Sequence, residues 1–164
     1  MFPHWRGCLS GRDQYHVFDY VYAALSSPSY RESYAEFMKT DFPFVPIIPS
    51  DEEFARLVPL GRSLREIHLL KSPRLDEPGI TYPVIGNDMV TEIKMLAGNI
   101  YINESQYFGN VPQVVWDVYF GGYQPARKWL SERIGQKLSD KEIRHYQRVL
   151  KALAETHRVW TEIG

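Results

Sequence analysis

Lys141, Arg144, Arg148, Lys151 and Arg158 recur at steps of three, four, three and seven, which places them along one face of a helix. A row of ammonium and guanidinium groups answers the phosphates of a nucleic-acid backbone, adding salt-dependent affinity without sequence information. Arg127, Lys128 and Arg133 stand just upstream and extend the set. The everyday alternative is a solvated charged face.

A second group has the chemistry to read bases. Arg74, Asn87, Asn99, Asn103, Gln106, Tyr107 and Asn110 stand near predicted strand ends and turns. Asn and Gln pair bidentately with adenine and Arg with guanine; Asn is also an ordinary turn residue. The aromatic content would suit stacking on RNA, but no RNP-type pattern is present.

Other chemistries lack their parts. Cys8 is the single cysteine, which excludes an internal disulfide and a cysteine-rich zinc site. His16, His68 and His145 are isolated, without His-x-x-x-His spacing, so no metal site is expected. His157 falls on an apolar stripe and reads as a core or interface histidine. Asp51-Glu52-Glu53 suits the first turn of a helix better than an acid–base pair. There is no Gly-x-Ser-x-Gly elbow and no phosphate-cradling Gly-rich loop. No catalytic residues are assigned.

These residues must be positioned by the elements around them. Residues 1–13 read as a loose lead-in and 14–70 as a helical part. Asp13 caps a helix over 14–26, with Val17, Phe18, Val21, Tyr22 and Leu25 at helical spacing. Ser27-Pro28 interrupts it, and a short helix over 29–39 follows. Three prolines make residues 41–49 extended. Ser50 and Glu53 form a capping box before a helix to about residue 70, kinked at Pro59. Its inner stripe is Phe54, Leu57, Leu60 or Gly61, Leu64, Ile67 and His68.

Residues 80–120 read as a mostly antiparallel meander, with strands over 80–85, 89–96, 100–104 and 114–120. Ala97-Gly98-Asn99 is a hairpin signal, and 106–111 a turn. Gly121-Gly122 ends the last strand, and Pro125 suits the first turn of a helix over 124–134 closed by Gly135. Ser139 and Glu142 form another capping box for a helix to about 162. Its apolar stripe is Ile143, Tyr146, Leu150, Leu153, His157 and Trp160. Residues 124–162 thus form two C-terminal helices. The fold class is α+β, a single domain with helices at both ends packed around a small β-meander.

At 164 residues, 44% hydrophobic and 14% aromatic, the chain buries a core and is not disordered. No apolar run reaches membrane-spanning length, and the N-terminus lacks a signal-peptide core, so a cytoplasmic setting is expected. The net charge of −1 argues against a nucleic-acid partner taken alone. Its distribution is uneven: residues 127–158 hold nine Lys or Arg against four Asp or Glu, and residues 1–126 hold ten against fifteen.

Gly121-Gly122-Tyr123-Gln124-Pro125-Ala126-Arg127-Lys128-Trp129-Leu130, then Leu138-Ser139 and Ile143-Arg144-His145-Tyr146-Gln147-Arg148-Val149, resembles the end of the specificity domain of type ISP restriction–modification enzymes. Related adenine DNA methyltransferases carry a similar tail. The resemblance is also present at Val17-Phe18-Asp19-Tyr20-Val21-Tyr22-Ala23-Ala24-Leu25-Ser26-Ser27-Pro28-Ser29-Tyr30-Arg31 and runs through Tyr34-Ala35-Glu36-Phe37 to Asp41-Phe42-Pro43. It covers most of the chain, with a divergent middle.

The resemblance implies a target-recognition module that binds duplex DNA and presents an adenine to a separate methyltransferase domain. In the family, nuclease, helicase-like and methyltransferase regions precede such a domain. They are not in this sequence, which reads as an excised piece or a remnant. An Asn- or Asp-Pro-Pro-aromatic motif and a Gly-rich cofactor loop are both missing here. S-adenosylmethionine is therefore expected only in the methyltransferase domain, and no cofactor in this chain. The phosphate-contact set would be Arg127, Lys128, Arg133, Lys141, Arg144, Arg148 and Lys151; the base-reading set Arg74, Asn99, Asn103, Gln106 and Tyr107. The competing expectation is a docking module that packs on the methyltransferase domain without binding DNA.

Overall fold

A computed structural model describes residues 13–34 and 50–164. Cys8, the lead-in and the extended 41–49 segment lie outside the described residues. The chain divides into two units, Met1–Leu69 with Arg158–Gly164, and Leu70–His157. The predicted single domain compares with this division.

The first unit is built on α1 (Gln14–Ser26) and α3 (Asp51–His68), with the short α2 (Pro28–Ser33) between them. Asp13 caps α1 by accepting from the Tyr15 N–H at 2.9 Å, and Ser27 caps α2 with Pro28 at its first position. The α1 face expected from its large apolar residues is not the buried one. Asp19, Tyr20, Ala23 and Ala24 are buried, while Phe18 is exposed. The buried face is set where the two helices approach closely: a Cβ on Gly61 of α3 would stand 1.7 Å from the Asp19 carbonyl oxygen and 3.2 Å from Ala23 Cβ.

Leu57, Leu64 and Ile67 form the facing stripe with Gly61, each large side chain contributing about 1.5–3 kcal/mol by burial. His68 is exposed rather than part of that stripe, and its Nδ1 lies 2.7 Å from the Tyr22 hydroxyl. Ser50 Oγ accepts from the Glu53 N–H at 3.1 Å, but Arg56 holds the Glu53 carboxylate, so half of the capping box forms. The helix continues through Pro59. Arg56 also donates to the Glu162 and Ile163 carbonyls, and Ser27 and Ser29 to that of Gly164. These side chains answer carbonyls that a helix C-terminus leaves unpaired.

In the second unit, β1 (Lys94–Leu96), β2 (Asn99–Tyr101) and β3 (Tyr107–Phe108) form an antiparallel sheet in that order. Ala97 and Gly98, at φ 49° and 78°, make the expected two-residue hairpin, with Leu96 opposite Asn99. The predicted turn over 106–111 gives its first half to β3; Asn110, at φ 60°, takes the turn.

The predicted strand over 80–85 pairs only at Thr81, opposite Gly109. The strand over 89–96 joins the sheet only from Lys94, since Thr91 and Glu92 both donate to the Ile102 carbonyl; Met89 forms an isolated bridge with Lys137. The strand over 114–120 is instead α4 (Gln113–Asp117). Pro112 sets up its first turn, and Gln113 Nε2 donates to the Asp117 carboxylate four residues on at 3.1 Å. Its β-branched residues were misleading because only Val115 is fully buried. Gly121 and Gly122, at φ 54° and 86°, close the following Phe120–Tyr123 bridge.

α5 (Pro125–Ser131) is shorter than predicted. The chain then turns at Gly135, whose N–H reaches the Val90 carbonyl at 2.8 Å. α6 (Asp140–Ile163) closes the chain. Its capping box is reciprocal: Glu142 N–H donates to Ser139 Oγ at 3.3 Å, and Ser139 N–H to Glu142 Oε2 at 3.0 Å. Ile100, Ile102, Phe108, Val115, Leu130, Tyr146 and Leu150 make the core. Tyr146 sits at its centre, stacked on Trp129 with centroids 4.6 Å apart and donating to the Ala126 carbonyl at 2.8 Å. His157 is exposed, not a core residue. The buried positions of α6 drift instead through Thr156, Val159 and Ile163, because a helix of 3.6 residues per turn leaves a fixed three-four alternation.

Candidate nucleic-acid interface

The basic residues of the second unit separate into committed and available groups. Arg133 is committed. Its guanidinium lies 3.5 Å over the Trp129 ring, donates to the Trp129 carbonyl at 2.8 Å and meets Glu142 at 3.3 Å. A cation so placed welds α5 to the start of α6. Lys128 lies 4.4 Å over the exposed Tyr123 ring and 3.9 Å from Glu132. Arg127, Lys141 and Arg144 are exposed. Among the described residues none of these three makes an ion pair.

Arg144, Gln147, Arg148 and Lys151 project from α6 into an open groove of about 250 Å³, whose other wall is the 75–80 segment. Leu75 is buried there and anchors the wall. Gln147 Nε2 donates to the Ile80 carbonyl at 2.8 Å, and Lys151 Nζ to that of Pro78 at 3.5 Å. Arg148 donates to the Leu70 carbonyl at 2.9 Å and stands 3.3 Å from Asp76 Oδ1. The groove is therefore mixed in charge, with Arg144 its open cation.

The loop that replaces the predicted strand over 80–85 is held from beneath. Gln106 is 1% exposed. Its Nε2 donates to the Val84 carbonyl at 3.2 Å and to Asp88 Oδ1 at 2.8 Å. Its Oε1 accepts from the Asp88 N–H at 2.8 Å and from Asn103 Nδ2 at 3.0 Å. All four hydrogen-bonding positions of the amide are thus filled.

Asn103 is similarly spent, donating also to the Met89 carbonyl at 3.0 Å and accepting from the Gln106 N–H at 2.7 Å. Tyr82 donates to Asp88 at 3.1 Å; burial first, and this carboxylate second, push its phenol far above the usual range. Asn103 and Gln106 are therefore engaged as interior scaffolding. Their amides would have to abandon each other to reach a base.

Residues 10–162 match the family of the type ISP C-terminal specificity domain. The chain belongs to this family.

This specificity domain has the fold of parts of three larger solved structures. One is the ATP-dependent type ISP restriction-modification enzyme LlaBIII bound to DNA: TM-score 0.72, 18% identity, covering 100% of this chain and 12% of that one. Another is the DrdV–DNA complex: TM-score 0.73, 18% identity, covering 98% and 19%. The third is a nuclease-deletion mutant of the type ISP enzyme LlaGI in complex with a DNA substrate mimic: TM-score 0.66, 22% identity, covering 92% and 13%. The chain thus spans less than a fifth of each. No curated protein matches it.

Within the type ISP specificity domain, the remaining base-reading candidates are dispersed. Asn99 closes the β1–β2 turn. Tyr107 is half-buried with its ring 5.1 Å from that of Tyr101. Arg74 is exposed 3.6 Å from Glu155. Of the other turn residues, Asn110 donates to the Gly79 carbonyl and Asn87 accepts from the Met89 N–H.

The sequence reading missed the carboxylate partners of its basic row, since Asp76, Glu132 and Glu142 oppose three of the seven phosphate candidates. Lys128–Glu132 was legible as a helical i, i+4 spacing; Arg133–Glu142, nine residues apart, and Arg148–Asp76 were not. Among the described residues no His/Cys/Asp/Glu group is arranged to hold a metal, and no helix is long and apolar enough to cross a membrane.

Proposed function

We propose that this chain is a DNA target-recognition module that binds duplex DNA sequence-specifically. The methyltransferase and nuclease chemistry, and the S-adenosylmethionine site, would lie in domains outside this sequence. The observation that carries the reading is the specificity-domain match over residues 10–162, supported by a fold shared with structures solved on DNA. Arg127, Lys141 and Arg144 supply phosphate contacts directly. Lys128, Arg148 and Lys151 join once a phosphate displaces their internal partners; Arg133 stays with the fold. Bases are read from turns and strand ends, with Arg74, Asn99 and Tyr107 the remaining candidates of the predicted set.

The test is fluorescence anisotropy of this chain against a randomised duplex pool at two salt concentrations. Salt-sensitive binding that enriches one sequence supports the module. The net charge of −1 and the internally paired basic residues favour a second reading, docking on the methyltransferase domain without DNA contact. A folded chain that ignores the duplex pool but co-purifies with that domain would establish the second reading.

A further inference from the structure

Ile85 is fully exposed. One exposed apolar residue means little by itself; the support under this one is unusual. Its loop is tied at one end by the paired Thr81 and Gly109 backbones, at 3.1 and 2.9 Å, and at the other by the Leu138 N–H on the Asp88 carbonyl at 2.9 Å. Between these ties the buried Gln106 amide grips Val84 and Asp88. A Cβ on Gly86 would come within 2.5 Å of that amide, so the backbone lies directly on it. Asp88 adopts φ 58° to turn the chain back. The apolar neighbours Ile80 and Tyr82 pack onto the core, and Val90 is inside it. Ile85 is presented outward with its side chain fully in solvent, on a backbone already fixed before any partner arrives.

Residues 82–87 of the loop carry no charged side chain. Thr81, Pro83, Gly86 and Asn87 are the other exposed loop residues. The loop's one carboxylate, Asp88, is turned inward onto Gln106 and Tyr82. Lys137 is exposed where it pairs with Met89. An apolar tip without an exposed carboxylate can approach the grooves of DNA, where aliphatic side chains meet thymine methyl groups or wedge between base steps.

We propose that Ile85 is a specificity-determining residue of this domain, making an apolar contact with base pairs of the recognised duplex. The proposal rests on the target-recognition reading above. It is tested by enrichment of a randomised duplex pool with the wild-type chain, Ile85→Ala and Ile85→Ser, followed by titration of the enriched duplex and a scrambled one. Both substitutions are at a solvent-exposed side chain and leave Gln106 untouched.

The expected result is about a tenfold loss of preference at one or two adjacent positions, with binding to the scrambled duplex and its salt slope unchanged. Replacing thymine by uracil at those positions reproduces the loss if the contact is to a methyl group. Fluorescence of 2-aminopurine at the same step rises, in the wild type only, if the side chain wedges. An unchanged enrichment profile in both variants overturns the proposal while the target-recognition reading stands. A wild-type chain that enriches nothing overturns both.

Discussion

The Arg148 guanidinium lies 3.3 Å from the Asp76 carboxylate, so the middle of the basic α6 row is already answered from within the chain. Removing the carboxylate frees a cation in the groove. Asp76→Asn is therefore expected to raise affinity for any duplex several-fold and to steepen the dependence of log K on log salt by about 0.9. Anisotropy titrations at three salt concentrations would measure both. An unchanged slope would mean that Arg148 does not meet phosphate.

Arg144 and Arg133 are both basic and stand eleven positions apart, yet their substitutions should read out differently. Arg144 is exposed and makes no ion pair among the described residues. Arg144→Ala is expected to leave the unfolding midpoint within experimental scatter and to lower the salt slope by about 0.9. Arg133→Ala breaks the stack on Trp129 and the contact with Glu142. It should cost about 1–2 kcal/mol of stability without moving the slope. Urea unfolding beside the DNA titration separates the two roles, and a reversed pattern would reassign them.

At Gly61, α3 comes close to the α1 backbone, beside the pair in which Arg65 Nε donates to the buried Asp19 at 2.7 Å. Gly61→Ala places a methyl group on a carbonyl that cannot move without unseating that pair. The expected cost is roughly 3 kcal/mol, the upper end of ordinary overpacking, seen as a lower urea midpoint by circular dichroism. A change below experimental scatter would show that the helices can separate freely.

Much of this architecture was readable in advance, and the failures have physical causes. The Ser139–Glu142 box, the Ala97-Gly98 turn and the Pro125 helix start are local arrangements whose chemistry lies within a few residues. α4 was misread because Val114, Val115 and Trp116 favour strands by type, while Pro112 and the Gln113–Asp117 bond decide the local backbone. The α1 face was misread because the close approach at Gly61, thirty-five residues beyond the end of that helix, sets the buried face at Asp19 and Ala23. For the site, the basic row was visible as a period. The commitment of Asn103 and Gln106 to each other was not, because it depends on where the 84–88 loop crosses the amides.

The α6 cap carries a pH signature. Hydrogen bonds from the Ser139 backbone and hydroxyl, and then Arg133, hold the Glu142 carboxyl below the usual carboxylate range. The folded state thus prefers the ionised form. Its contribution is present above the unfolded carboxyl's pKa and is lost as pH falls through the lower folded value. Glu142→Gln should flatten stability against pH between about pH 5 and pH 3. It should cost roughly 0.5–1 kcal/mol at neutral pH, since the group is partly solvated. Denaturant midpoints measured across that range would check it; an unchanged slope would mean that another carboxylate dominates.

Gln106 gives the strongest expectation because every hydrogen-bonding position of its amide is used in the interior. Gln106→Leu keeps the bulk and leaves the Asp88 N–H, the Val84 carbonyl and one Asn103 donor unpaired, at a cost of about 3 kcal/mol. Gln106→Glu is the sharper probe. Its carboxylate would replace the Nε2 donor that faces both the Val84 carbonyl and the Asp88 carboxylate, so two anions would share a buried site. The protonated form of the new carboxyl is then favoured in the folded state, which raises its pKa above the unfolded value. The destabilisation should be greatest above that raised pKa and ease as pH falls through it. Unfolding midpoints of wild type, Gln106→Leu and Gln106→Glu at about pH 5 and pH 8 would test this. Gln106→Glu should lose more stability than Gln106→Leu at the higher pH and recover toward it at the lower. Equal losses at both would mean that the loop moves aside and does not hold Asp88 where the structure places it.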